Sequence, residues 1–491
     1  MNVVWFRRDL RLADHPALAE AAARGPVVPV FVLDPRLLGR ALRRDAWIVA
    51  TLRALDAELQ RRGARLIVRR GDPIIELVRV AREVGAHAVC WNRDVTPYAR
   101  ERDRAVAAAC RAAGLEARES GDAVLSEPGD VAPARGGFYT VFTPFHRAWL
   151  ARDRVPPVRA PERLSMPGAI DALPLPSPSD AGSPPADAEL PRADPELPPP
   201  GAELPRAGEV AARSALDAFV RHGLVAYPDA RDRLDGDTTS RLSPYLRVGA
   251  LSPRQVYAVV SGAARTPELA RAAEAFVRQL AWRDFFVQIL WHAPETRWQP
   301  LRPLRVAAPW RPDSAALTVW QSGQTGYPII DAAMRQLAAT GFMPNRARMI
   351  VASFLVKHLL IDWRQGDRWF MRQLLDGDPA LNGGNWQWVA GVGADALPAF
   401  RIFNPITQAR RFDPSGDYVR RWVPELASVP GAAVHAPWEA GGVAGYPTPI
   451  VDHDDARRRA LAAFGVRPGR TTAARQRPGS ITWPADDPGR G

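Results

Sequence analysis

Residues Asp376–Trp388 read DGDPALNGGNWQW. Acids, side-chain amides and two tryptophans crowd together there. A plain hydrophobic core does not select that mixture, because each buried carboxylate or amide must find a partner. The stretch therefore reads as the wall of a polar site, set in a part of the chain whose patterns are helical. From 211 to about 466 the spacing of apolar residues is mostly that of helices. Ser252–Gln255 (SPRQ) offers a Ser cap, Pro at the first helical position and Gln three residues after the Ser, a capping-box arrangement. Ser243-Pro244 repeats the Ser-Pro start, with Ser243 as the expected cap.

Upstream the period changes. Residues 1–130 alternate short apolar runs (Val3–Phe6, Val27–Leu33, Arg65–Arg70, Ala88–Asn92) with amphipathic segments (Asp45–Arg62, Pro73–Val84, Tyr98–Ala113). That alternation predicts a Rossmann-like α/β domain with a parallel sheet. The glycine-rich dinucleotide fingerprint is missing, since WFRRDLRL stands at the first strand's end. GVGADA at Gly391–Ala396 lies in no strand–turn–helix context and reads as a loop. Residues 131–210 read as an interdomain linker, dominated from 154 by Pro, Ala, Ser and acids, partly extended, mobile and free of catalytic groups. Residues 467–491 read as a disordered tail. The expected architecture is an α/β domain, a long Pro-rich linker and a large all-α domain.

Composition is that of an ordinary globular protein, 46% hydrophobic and 24% charged, and 491 residues suffice for two or three domains. No apolar run approaches the ~18 residues of a membrane span, and the N-terminus lacks the apolar centre of a signal peptide, so the cytosol is expected. Cys90 and Cys110 have no second Cys at metal spacing and read as reduced structural thiols. The net charge is +12, almost all of it from Arg, with Lys357 the single Lys. A GC-rich genome explains Arg over Lys, but not the excess of bases over acids; a polyanion such as nucleic acid fits that excess.

Three constellations add chemistry. Thr238–Leu246 (TTSRLSPYL) sets hydroxyls and Arg241 before a helix start, which is either a phosphate site or a plainly capped helix. Beyond Pro344, Asn345, Arg348 and Met349 share one helical face, with Asp376 and Asp378 as carboxylates for Arg348; a surface helix capped by Asn345 is the alternative. Gln279, Trp282, Arg283 and Phe286 share another face, a pocket lining or a helix boundary. The 16 tryptophans are large apolar groups with one N–H each, or carriers of an electron hole; spacing does not separate the two.

Together these stretches, with VWFRRDLRLADHPAL, FTPFHRAWL, TSRLSPYLRVGALSPRQV, QLAWRDFF, TGYPIIDAAMRQL, NRARMIVASFLVKHLLIDWR and FRIFNPITQARRFDPSGDYVRRWVPEL, resemble the photolyase/cryptochrome family, and within it the class I cyclobutane pyrimidine dimer DNA photolyases. The resemblance spans most of the chain but neither the linker nor the tail. It implies a bent FAD in the helical domain. Tyr227 and Thr239, Ser240, Arg241, Leu242 and Ser243 would hold its phosphates and ribityl chain, with Phe276 beside it. Arg348 would pair with Asp376 near the ring system, Asp378 would accept from the ring, Gly377 would lie between them, and Asn382 would face flavin N5. The implied reaction is light-driven and redox-neutral: one electron passes from reduced FAD to a pyrimidine dimer in DNA, the cyclobutane ring splits, and the electron returns.

The same resemblance makes Trp386, Trp363 and Trp310 an electron ladder to the surface. It sets Trp282 and Trp388 around a flipped-out lesion, with Gln279, Asn345 and Met349 at its base edges and Arg283 nearby; photolyases are among the established base-flipping enzymes. Arg231, Arg346 and Gln408 would lie along the DNA strand. Gln279 departs from the usual Glu of class I enzymes. Photolyases for (6-4) photoproducts tend to carry Gln there, but they place His where this chain has Asn345 and Met349. Asn382 favours repair over signalling, the cryptochrome alternative, and so does a tail of only about 25 residues. Trp91–Asp103 (WNRDVTPYARERD) is more like members using 8-hydroxy-deazaflavin as antenna chromophore than those using methenyltetrahydrofolate. A monomer acting on damaged DNA is expected.

Overall fold

The computed structural model describes residues 1–465 except 38, 40, 122–123, 169, 176–203, 237, 305–309 and 396–400. Its N-terminal part is a five-stranded sheet: β1 (Asn2–Phe6), β2 (Val27–Leu33), β3 (Ile67–Arg70), β4 (Ala88–Asn92) and β5 (Glu116–Ser120). All pairs are parallel and the order is β3-β2-β1-β4-β5. Helices α1 (Pro16–Ala23), α2 (Leu42–Gln60), α3 (Pro73–Glu83) and α4 (Pro97–Ala112) cross over between strands. β1 is buried along its whole length, as its unbroken apolar run requires of a strand covered on both faces. Strand order reverses between β1 and β4, so the loops at their carboxyl ends, 7–11 and 92–94, stand at the switch point of the sheet.

Three of the four expected strands match within a residue, and β3 is shorter than 65–70. β5, EARES, is a strand that the apolar pattern does not announce. It closes the edge of the sheet, where charged side chains blunt further pairing, and Glu116 and Arg118 form an ion pair there.

The segment 131–210 is not uniformly a linker. Phe142–Leu150 is a helix, with Phe142 and Phe145 buried against Trp282 and Phe285 of the helical domain and Trp149 fully buried, its Nε1 donating to Asp284 Oδ2 (2.9 Å). Downstream, extended backbone is pinned to the α/β domain: Asp14 N–H donates to Val158 O (2.7 Å), Leu164 N–H to Arg62 O (2.7 Å) and Val27 N–H to Ser165 O (2.8 Å). Proline-rich chain is short of donors but keeps its carbonyls, and most of these contacts use them. Residues 176–203 of the expected mobile linker and the tail 467–491 lie outside the described residues.

The C-terminal part is helical. Its long Pro267–His292 helix starts at a Thr266 cap and carries Phe276, Gln279, Trp282, Arg283 and Phe286. Against it lies the Pro379–Ala390 helix, and here close approach requires a glycine: a Cβ on Gly384 would stand 2.3 Å from Phe286 Cδ1. The capping box at Ser252–Gln255 is present in full. Ser243 is not a cap. It is the first helical residue, and its hydroxyl donates instead to Asp376 (2.6 Å). A single apolar cluster runs from one face of the sheet, through Trp149, into the helices around Phe276 and Phe285, so the two parts share a core.

Candidate functional site

The opening stretch has a local logic. Asp378 caps the Pro379–Ala390 helix, its Oδ1 accepting from Ala380 N–H (2.9 Å) and Leu381 N–H (3.3 Å), with Pro379 at the first helical position. One turn in, Asn382 is buried, and its Nδ2 donates to Asp367 Oδ1 (2.6 Å) and to Asp367 O (3.0 Å). That leaves Oδ1 as the amide's remaining acceptor. Asp376 accepts from Arg348 Nη2 (2.8 Å) as expected, and from Ser243. Arg348 is steadied by Met343 O (2.8 Å).

These groups line a cavity of about 310 Å³ in the helical part. The structure brings to its wall nearly all of the expected set: Tyr227, Arg231, the run 239–243, Phe276, Gln279, Trp282, Arg283, Asn345, Arg348, Met349, Asp376, Gly377, Asp378, Asn382, Trp386 and Trp388. Asn345 Nδ2 lies 3.8 Å from Met349 Sδ, so the two share a face as the spacing predicts; Pro344, not Asn345, holds the cap position of their helix. Arg241 has φ +49°, a left-handed backbone uncommon outside glycine, and its guanidinium lies 5.4 Å from the Phe342 ring centroid. Tyr227 and Phe276 meet edge to face at 5.1 Å, and burial pushes the Tyr227 hydroxyl up to about 12. Trp282 stacks on Phe142 at 3.7 Å, and Trp388 donates to Asp395 O at 3.2 Å, so each tryptophan is braced by protein.

Other expectations are corrected. Arg346, expected along the DNA strand, is fully buried, paired to Asp232 at 2.7 Å with its guanidinium 4.4 Å from the Phe412 ring centroid. Gln408 is buried in the Pro405–Phe412 helix, off the cavity wall. Both fall at a helical period that turns them inward. Asp378 is not Arg348's partner: its second oxygen pairs with Arg8, 370 residues away in the sequence. Burial opposes the Asp378 charge, yet Arg8, Arg247 and Arg283 hold its carboxyl well below the usual carboxylate range. Of the tryptophan set, Trp386 reaches the cavity and Trp363 is buried, while Trp310 packs edge-on against Phe464 at 5.8 Å. The aromatic rings around Trp386 are Phe370 (5.1 Å) and Trp320 (6.2 Å).

Sequence reasoning missed Asp367, which anchors Asn382 and is itself held by Arg297 at 2.6 Å, and it missed Arg8. Burial raises the Asp367 carboxyl despite Arg297. Asp367 lies four residues beyond Trp363 on one helix, a readable spacing. Arg8 has no local signal.

The donor set fits FAD. Asp376 Oδ1 is buried on this wall without a hydrogen-bond partner among the described residues, and a buried polar atom in that state calls for a polar ligand. The Arg348–Asp376 salt bridge, an acceptor from Asn382, and aromatic faces at Phe276 and Trp386 suit a polar heteroaromatic cofactor.

Comparison with known proteins agrees. A family model described as DNA photolyase matches residues 2–162, and one described as FAD binding domain of DNA photolyase matches 276–466. The deoxyribodipyrimidine photo-lyase of Halobacterium salinarum is 41% identical, over 94% of this chain and 98% of that protein. Among solved structures, a class III photolyase from Agrobacterium tumefaciens is 40% identical with a TM-score of 0.86, covering 94% of this chain and 97% of its own. A Synechocystis sp. PCC6803 cryptochrome is 31% identical with a TM-score of 0.85, covering 95% and 99%. On this likeness across both parts of the chain, and on a cavity whose wall carries the expected residues, the chain belongs to the photolyase/cryptochrome family.

Proposed function

We propose that the protein repairs cyclobutane pyrimidine dimers in DNA with light. The observation that carries this reading is that one cavity wall joins two sets of residues. Arg348, Asp376 and Asn382 suit the cofactor; Gln279, Asn345, Met349, Trp282 and Trp388 suit a pyrimidine dimer turned out of the helix. The names of the relatives support it.

FAD, when bound, supplies the light-driven loan of one electron that splits the cyclobutane ring. The chain's own residues do the rest. Arg348 and Asp376 orient one edge of the cofactor through a charged pair, and Asn382, fixed by Asp367, offers a neutral acceptor. Tyr227 and the run 239–243 bind its polar length. Trp282, braced on Phe142, and Trp388 flank the lesion and exclude water, while Gln279 donates toward a base edge from a buried amide. Trp386, with Trp363 and Trp310, carries the reducing electron inward. Neither Asn345 nor Met349 is an acid, which disfavours (6-4) chemistry. The family class stays part of the proposal: class I by motif, beside a class III structure of 40% identity.

An antenna pigment in the α/β domain, 8-hydroxy-deazaflavin before methenyltetrahydrofolate, rests on Trp91–Asp103 alone. Trp91, Asn92, Val95, Ala99, Arg102 and Asp103 of that stretch are buried, which leaves Arg93, Asp94, Thr96, Pro97, Tyr98, Arg100 and Glu101 to meet a pigment. Monomeric action in the cytosol belongs to the same proposal; among the described residues no helix is long and apolar enough to cross a membrane.

The test is direct. The protein is mixed with a dimer-containing oligonucleotide, illuminated in the blue to near ultraviolet, and restored thymines are measured. Repair is expected. Demonstrated binding without repair at fully reduced flavin would favour a photoreceptor, and repair of (6-4) lesions instead would overturn the reading of Asn345 and Met349.

A further inference from the structure

Asp376 and Asp378 sit on a turn, Leu374–Asp378, that is held from behind by three arginines. Arg247 Nε donates to Gly377 O (2.6 Å). Arg44, on α2 of the α/β domain, donates to Met371 O (2.9 Å) and Leu374 O (3.0 Å). Arg8, in the loop leaving β1, pairs with Asp378 Oδ2, reaches Asp94 Oδ1 (3.4 Å) after β4, and donates from Nε to Arg247 O (3.3 Å). Two of the three therefore come from the other domain.

The loop that carries Arg8 is itself fastened. Leu10 N–H donates to Val248 O (3.2 Å) and Arg11 Nη1 to Gly249 O (3.0 Å). Gly249 has φ +72°, and a Cβ there would lie 1.9 Å from the Arg8 carbonyl oxygen, so the two backbones touch. The place is the switch point of the sheet, where open α/β folds ordinarily receive a ligand. Here the crevice receives the cap of the helix that carries Asn382 and Trp386.

We infer that Arg8 is a positioning residue for the flavin: across the domain boundary it holds Asp378, and with it the start of the Pro379–Ala390 helix, against the cavity, so that the α/β domain completes the cofactor site. The inference rests on the FAD reading above. Asp378 meets the cap N–H groups with Oδ1 and Arg8 with Oδ2, so loss of Arg8 takes the direct charged partner from a buried carboxylate and leaves it to the fields of Arg247, Arg283 and Arg44. A charge-assisted hydrogen bond of this kind is a strong one, and the helix start follows the carboxylate.

The test measures how fast the full chain, loaded with FAD, releases it into dilute buffer, followed by the fluorescence of free flavin. Arg8→Met should release FAD about tenfold faster or more. Arg8→Gln, which keeps a donor but loses the charge, should do so severalfold, and Arg8→Lys should recover most of the loss. Asp378→Asn should release faster too, and adding Arg8→Met to it should change the rate by less than twofold, because the two act as one unit. Release from Arg8→Met or Arg8→Gln at the parent's rate, or losses that multiply in the double variant, would overturn the inference. A parent chain that holds no FAD would instead sink the functional reading itself.

Discussion

Asn382 shows how one side chain is committed before any ligand arrives. Its Nδ2 is engaged by Asp367, so only the carbonyl oxygen is available to the cavity. Asn382→Asp would press two carboxylates together at that contact. Like charges raise the pKa of the shared proton in the folded state above the unfolded value near ~4, so the folded state binds the extra proton. Stability of the variant should then fall as pH rises from 5 to 8, by up to about 1.4 kcal/mol per pH unit while the proton is held, relative to the parent; thermal midpoints across that range measure it. Trp386→Phe should suppress photoreduction and leave repair by chemically reduced protein intact, which flavin absorbance during illumination and a dimer-repair assay separate. Arg348→Met should lower stability by about 1.5–3 kcal/mol in urea unfolding, because Asp376 loses its charged partner. At this scale much was legible: residue type offered Asp376 and Asp378 to Arg348, and the family resemblance chose Asp376. Arg8 with Asp378 could not be paired, since nothing local links residues so far apart. Arg346 and Gln408 misled because a polar residue in a DNA-contact motif need not point outward; an Asp232 partner or a helix's inner face satisfies it equally well.

Elements repeat the lesson. Strands with unbroken apolar runs and helices with Ser or Thr caps and an early Pro declared themselves, because their signals are local. β5 did not, since an edge strand is selected for charge as much as for β propensity. The Phe142–Leu150 helix was hidden by a boundary drawn on proline content, although its Phe and Trp spacing is amphipathic. Of the paired glycines of the opening stretch, Gly384 is explained by the neighbouring helix, whereas a Cβ on Gly383 would meet only ordinary contacts. Gly384→Ala gains about 1 kcal/mol of helix propensity but must displace the Phe286 ring. A net destabilisation of about 1–2 kcal/mol is expected, read as a lower urea midpoint with unchanged slope.

The whole molecule carries a net charge of +12, and its partner on this reading is a polyanion. Affinity for lesion-containing DNA should drop at least about tenfold between 50 and 200 mM salt. Arg231→Ala should shallow the salt slope by about one contact. Arg346→Ala should leave the slope unchanged and lower stability by about 2–3 kcal/mol instead, since its work is done inside. The Phe142–Leu150 helix lies ahead of the proline-rich stretch in the chain, yet its rings are packed among those of the later helices. Severed anywhere in 176–203, the polypeptide should therefore elute from a sizing column as one particle, and the halves, made as separate chains, should find each other and regain colour.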